Sequence, residues 1–271
     1  MIRLIATDLD GTLLDPTGNM PEGVFETIEK LHRKGILFCA ASGRQLAGLR
    51  ELFRLVADKM LFIAENGALI VRGSETLRTD VIPREQVLQV LEAVRQVPDA
   101  HPLLCTPEKA YYEEYSQPFV HFVQISYISN GQRDLYEVAE RETVCKIAVY
   151  DERGPENNGM KILPPLLPGL GLIQSGGNWM DVSEHSANKG DALRFVQEKF
   201  FLSADECAAF GDHMNDYEML LACGHPYLPA NAYPLLQERF AGKAAVIPSN
   251  AENGVLQALN AIADGKPVPT L

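Results

Sequence analysis

The chain has 271 residues, 46% hydrophobic and 22% charged, a balance that excludes a disordered protein and suits one or two folded domains. Its 36 acidic side chains against 24 basic ones leave a net charge of −12, which argues against a bare nucleic-acid binder. The longest uncharged candidate for a membrane span, residues 162–179, is broken by Pro164, Pro165 and Pro168, so no uninterrupted apolar helix of about 20 residues is available.

Residues 2–7 read as a short buried strand, and the turn-rich segment after it leads to residues 21–34, where Val24, Thr27, Ile28 and Leu31 recur at helical spacing before Gly35. Residues 36–40 form a second apolar run. Ser42-Gly43-Arg44 then punctuates, and Leu46, Leu49, Leu52, Phe53 and Val56 predict a further helix ahead of a strand at 60–64. Short buried strands alternating with amphipathic helices predict an α/β fold built on a doubly wound, mostly parallel, Rossmann-like sheet.

From residue 83 the texture changes. A helix is expected at 84–97, then aromatic and β-branched, strand-like segments at 111–112, 121–128 and 144–150, among many prolines and glycines. Residues 83–181 therefore read as an α+β domain inserted into a core made of 1–82 and 182–271. The α/β grammar returns with a helix at 190–200, a strand at 207–210, a helix at 217–222, a strand at 225–228 and a terminal helix after Asn253-Gly254. The five cysteines (Cys39, Cys105, Cys145, Cys207, Cys223) are widely spaced without a CxxC pair, which predicts reduced thiols rather than disulfides or zinc ligands. Asp8 arrives before a signal-type apolar segment could form, so a cytoplasmic location is expected.

Open α/β sheets bind ligands at the carboxyl ends of their strands. Polar residues follow the apolar runs at Asp8-Leu9-Asp10-Gly11-Thr12, at Ser42-Gly43-Arg44 and at Gly211-Asp212-His213-Met214-Asn215-Asp216, with Asn188-Lys189-Gly190 at a helix start. Asp8, Asp10 and Asp212 sharing one crevice would repel one another unless a cation or proton intervened, and Mg²⁺ suits such oxygen donors better than zinc. Ser42, the Gly43 backbone, Lys189 and Asn215 could then hold an anion beside the metal, which makes a phosphate pocket.

In this order the motifs resemble the haloacid dehalogenase superfamily, and within it the Cof-type phosphatases that carry a large α/β cap. The likeness extends over nearly the whole chain through Glu65-Asn66-Gly67-Ala68, GDHMNDYEML from Gly211, Pro229-Ala230-Asn231-Ala232 and Asn253-Gly254-Val255. The resemblance implies a phosphomonoester hydrolase acting on small phosphorylated metabolites, sugar phosphates or phosphorylated cofactors, through an aspartyl-phosphate. It implies Asp8 as nucleophile and Asp10 as acid and base. Asp8, Asp212 and the backbone carbonyl of Asp10 become metal ligands, and Leu9 lends its backbone N–H to the phosphate beside Ser42, Gly43, Lys189 and Asn215. Asp216 orients Lys189 or its loop.

The sequence departs from relatives at Ser42, where threonine is commoner, at His213, and at Tyr233-Pro234, where many carry a nearby lysine. Arg44 reads as an exposed surface arginine. His101, Tyr111, Tyr112, His121 and Trp179 read as packing within an aromatic insert. A phosphotransferase or mutase on the same fold, or a silent phospho-metabolite sensor, are the competing expectations; the order of the acidic, hydroxyl and lysine motifs and the insert fit a signalling receiver poorly.

Overall fold

A computed structural model describes every residue of the chain except Gly176, which is given only its place in a strand. The first five strands are β1 (Leu4–Thr7), β2 (Leu37–Ala41), β3 (Leu61–Ala64), β4 (Leu69–Arg72) and β5 (Glu75–Thr79). The next six, β6 (Ala100–Cys105), β7 (Ala110–Tyr112), β8 (Asn130–Gln132), β9 (Lys146–Asp151), β10 (Leu170–Gly176) and β11 (Trp179–Glu184), form a separate sheet. β12 (Cys207–Phe210), β13 (His225–Pro229) and β14 (Ala245–Ile247) return to the first. That larger sheet has the order β14-β13-β12-β1-β2-β3-β4-β5, parallel from β14 to β3 and antiparallel through the β3–β4–β5 edge.

Strand pleating divides the apolar side chains between two faces. Ile5, Phe38, Ala40, Phe62 and Phe210 pack with α1 (Val24–Arg33), α2 (Leu46–Leu52) and the C-terminal helix Gly254–Asp264. Leu4, Ala6, Cys39, Ile63 and Ala209 face the helices at Lys189–Lys199, Tyr217–Leu221 and Pro234–Arg239. Both faces are thus covered, as a parallel sheet requires. The direction of winding reverses between β1 and β12, which opens a crevice at their carboxyl ends.

The smaller sheet, ordered β10-β11-β9-β6-β7-β8, is covered on one face by α3 (Arg84–Val94) and α5 (Leu135–Arg141). Its other face carries α4 (Gln117–Ser126) and meets the core at Ala68 and Ala187. The expected strand-like segment 121–128 is therefore mostly helical. Ser116 caps α4, its Oγ accepting from the Phe119 N–H at 3.3 Å, and Pro118 lies in the first turn, where a missing N–H costs nothing. Phe119 and Val123, four residues apart, share the buried face.

Three further expectations shift. The helix expected to include Phe53 and Val56 stops at Leu52, although both residues are buried. The β4–β5 hairpin at the sheet edge was not foreseen. The expected division at 181/182 falls inside β11, all of which pairs within the smaller sheet.

Phe53 anchors the first core, with ring centroids 6.4 Å from Phe25, 6.3 Å from Phe38 and 6.2 Å from Phe62. Phe53→Ala is expected to cost about 3–5 kcal/mol of unfolding free energy. Urea titration checks this through a lowered midpoint at constant slope; a loss below about 1 kcal/mol would remove the ring from its anchoring role.

Candidate active site

Thr7 and Phe210 are register partners in adjacent parallel strands, so Asp8 and Gly211 leave the sheet side by side at the winding reversal. Asp8 N–H donates to the Phe210 carbonyl at 2.9 Å. The chain then closes a wide turn over Leu9–Leu13, in which Gly11 takes φ +80°. A Cβ at Gly11 would lie 2.4 Å from Asp212 Oδ2, so conformation and space both require glycine there. Thr12 Oγ1 donates to Asp212 Oδ1 at 2.7 Å and ties the two loops together. Asn231 supports the turn from behind, donating to the Gly11 carbonyl at 2.7 Å.

Lys189 opens its helix one residue after the Asn188 cap, whose side chain accepts from the Asp191 N–H. Its Nζ is buried and donates to Asp8 Oδ1 and Asp216 Oδ1, both at 2.6 Å. The other Asp216 oxygen accepts from the backbone N–H groups of Asp212 (3.0 Å) and His213 (3.1 Å). One carboxylate oxygen each from Asp8, Asp212 and Asp216 lie within 4.8 Å of one another. The sequence places Asp216 as a supporting residue, and the structure puts its carboxylate in this cluster.

The Asp10 side chain stands apart from this cluster, though in the same cleft. Its carboxylate turns toward Arg44, which donates from Nε to Oδ2 at 2.9 Å and from Nη2 to Oδ1 at 2.5 Å. Asp8, Asp10 and Asp212 share one cleft as the sequence reading has it, while the carboxylates that come within 4.8 Å of one another are those of Asp8, Asp212 and Asp216. Arg44 is exposed, as expected, and also lines the cleft.

Burial pushes the Asp8 carboxyl well above the usual carboxylate range against the pull of Lys189, and Asp216 and Asp212 add to the rise. Burial likewise raises Asp212, opposed by its hydrogen bond from Thr12. Burial works against the Lys189 ammonium too, but Asp216 and Asp8 hold its pKa above the ordinary lysine value. Three carboxylates facing one ammonium leave the pocket short of positive charge. The donors are all oxygens, a set that fits a hard divalent cation and not zinc.

Beside the cluster, buried Ser42 follows β2 and its Oγ accepts from the Arg44 N–H at 3.2 Å. Gly43 lies against Asn66, and Asn215 Nδ2 approaches Asn66 Oδ1 at 3.4 Å. Ser42, Gly43, Asn215, Asp8, Asp10 and Asp212 all line one cleft of about 810 Å³. Leu9 is buried at the start of the Asp10 turn.

The far wall of the cleft comes from the smaller domain and includes Tyr127, Lys146, Trp179 and Asp181. Lys146 is buried and reaches Glu65 Oε2 at 2.6 Å, the Gly43 carbonyl at 3.1 Å and Asp181 Oδ2 at 3.6 Å. Neither Lys146 nor Asp181 was singled out from the sequence; the available signal was a charge set inside an apolar strand, Val144-Cys145-Lys146-Ile147-Ala148. Of the aromatic candidates, Trp179 lines the cleft, whereas His101 stacks on Tyr115 with centroids 4.9 Å apart and does not.

Residues 5–259 match the family described as haloacid dehalogenase-like hydrolase. The chain is 26% identical over 248 residues to the HMP-PP phosphatase of Cronobacter sakazakii, covering 87% of each chain. It is 24% identical over 269 residues to the 5-amino-6-(5-phospho-D-ribitylamino)uracil phosphatase of Escherichia coli, covering 96% of each. Among solved structures, SMU.1108c of Streptococcus mutans superposes with a TM-score of 0.85 at 26% identity, over 97% of this chain and 100% of that one. The haloalkanoate-superfamily protein BT1666 of Bacteroides thetaiotaomicron gives 0.79 at 26% identity, over 96% and 94%.

Removing the Lys189 charge would leave Asp216, fully buried, facing Asp8 without a counter-ion. Lys189→Met is expected to destabilise the fold by about 3–5 kcal/mol in chelator-containing buffer. Chemical unfolding of both proteins checks it, and near-equal stability would show that the ion pair does not hold these loops.

Proposed function

The chain belongs to the haloacid dehalogenase-like hydrolases and is a phosphatase of that family, and we propose that it hydrolyses small phosphomonoesters with Asp8 as nucleophile and Mg²⁺ as cofactor. The observation that carries this reading is the convergence of Asp8, Asp212 and Asp216 at the β1/β12 reversal, with Lys189 joining Asp8 to Asp216 beneath a cleft of metabolite size.

Asp8 and Asp212 with the Asp10 carbonyl would hold the metal, and bound Mg²⁺ would neutralise charge on the phosphoryl oxygens and the carboxylates. Lys189 engages Asp8 Oδ1, which leaves Oδ2 to bond to phosphorus as the ester P–O bond breaks. Ser42 Oγ, the Gly43 and Leu9 N–H groups, Asn215 Nδ2 and Lys189 Nζ hold the phosphoryl oxygens. Asp10 gives a proton to the departing alkoxide. It later takes one from the water that attacks the aspartyl-phosphate, releasing phosphate and restoring Asp8. Asp216 keeps Lys189 and the 212–213 backbone in place.

Residues 83–184 act as the cap, supplying the wall that faces the leaving group and excluding water from the first half-reaction. Sugar phosphates are the first substrate class to test and phosphorylated cofactors the second. All five cysteines are free and buried, which fits a reducing cytoplasm.

Asp8→Asn is expected to abolish hydrolysis of p-nitrophenyl phosphate in Mg²⁺ buffer while leaving the circular dichroism spectrum unchanged; retained turnover would displace Asp8 as nucleophile. Asp10→Asn is expected to lower kcat by about 10²–10⁴. Dialysis against EDTA should remove activity and added Mg²⁺ restore it, so full activity in EDTA would refute the metal requirement.

A further inference from the structure

The basic side chains of the cleft, on the wall opposite the catalytic carboxylates and elsewhere, already have partners. Lys146 is met by Glu65 at 2.6 Å and by Asp181 at 3.6 Å, with the Gly43 carbonyl as a third acceptor. Arg44 is engaged by both oxygens of Asp10. Lys189 lies between two carboxylates beneath the cleft. His213, on the core loop beside Asp212, packs against Tyr233 with ring centroids 5.1 Å apart and planes tilted by 39°. Among the described residues no other basic side chain lines the cleft.

The acidic side of the same wall is not balanced in this way. Glu156 lines the cleft, is exposed, and forms no ion pair among the described residues. Asp181 accepts from Asn66 Nδ2 at 3.0 Å and shares Lys146 with Glu65, so two carboxylates answer one ammonium. Tyr127 and Trp179 add flat faces, and Ser126 a hydroxyl. A leaving group bearing hydroxyls or an amine finds acceptors and stacking surface there. One bearing a second anion faces Glu156 and must displace a carboxylate already in place, Asp10 from Arg44 or the buried partners of Lys146.

We infer that the cleft selects phosphomonoesters whose leaving group is neutral or cationic and rejects those carrying a second anionic group, with Glu156 as a specificity-determining residue. This rests on the phosphatase reading above. The discrimination is made by withholding a partner and placing a like charge, and the net charge of −12 reinforces it at a distance.

Three aryl phosphates test it: phenyl phosphate carrying para-hydroxymethyl, para-aminomethyl or para-carboxymethyl. The methylene insulates the phenol, so the three leaving groups differ in charge and little in intrinsic reactivity. At low salt with Mg²⁺, kcat/KM for the carboxymethyl ester is expected to be about fivefold to tenfold below that of the hydroxymethyl ester, with the aminomethyl ester equal or faster. The gap should narrow as ionic strength rises, narrow in Glu156→Gln and close or reverse in Glu156→Lys. Equal rates for all three in the unaltered protein, or a gap that both Glu156 variants leave unchanged, would overturn the inference. Hydrolysis of none of the three would instead overturn the phosphatase reading on which it rests.

Discussion

A buried ammonium held by two carboxylates organises this molecule. Lys189 Nζ joins Asp8, at the end of the first strand, to Asp216, in the loop after β12, and so fixes three segments distant in sequence at one point. Such a charge is tolerable out of water only when paired and hydrogen-bonded, and Asp216 meets that demand by accepting from two backbone N–H groups with its other oxygen. The packing around it leaves no slack: a Cβ at Gly190 would lie 2.4 Å from Glu218 Cβ, so the helix bearing Lys189 approaches its neighbour as closely as glycine permits. The cluster's surplus of negative charge is the electrostatic reason for the divalent cation proposed there.

A second buried ammonium performs the corresponding task between the domains. Lys146 comes from the cap, yet two of its partners, Glu65 and the Gly43 carbonyl, belong to the core. Gln45, two residues after Gly43, donates to the Ser129 carbonyl at 2.8 Å and accepts from the Ser129 N–H at 3.1 Å. Segment 42–45 thus lines the cleft through Ser42 and Gly43 while Gly43 and Gln45 hold the cap. Glu65 and Asn66, which meet Lys146 and Asp181, sit at φ +51° and +57°, a backbone conformation that costs about 1–3 kcal/mol per residue and persists where surroundings enforce it. The cap contacts supply that enforcement.

The core was legible because its information is local. A short apolar run ending in Asp, Ser or Gly-Asp announces both a buried strand and the polar residue at its carboxyl end, and parallel winding brings those ends together. Ser42, Asn215 and Asp212 could be nominated on that basis, whereas Lys189, at a helix start, was reached through the family resemblance. The orientation of Asp10 was not legible, since nothing near it in sequence shows that Arg44, 34 residues away, takes both its oxygens. Lys146 and Asp181 were hidden for the same reason: each looks like a stray charge in a strand until its partners from another domain are known. Segment 121–128 misled through composition, because the capping hydroxyl of Ser116 and the position of Pro118 outweigh the preference of aromatic and β-branched residues for strands.

The two acidic residues of the first loop are held in opposite ways, and the contrast matches the work proposed for them. Asp8 is buried and fixed by Lys189, as a nucleophile that must meet phosphorus along one line requires. Asp10 is held by Arg44 in a pair whose side chains are 57% and 40% exposed. That pair stands at the open side of the cleft, so Asp10 is in reach of solvent while Asp8 is not. An acid and base serving two half-reactions must first face the departing oxygen and then the incoming water, and a carboxyl group at the open side can meet both. Reversing the arrangement, with Asp10 buried and Asp8 loosely held, would fix the proton in one place and let the nucleophile wander, which would slow each half-reaction.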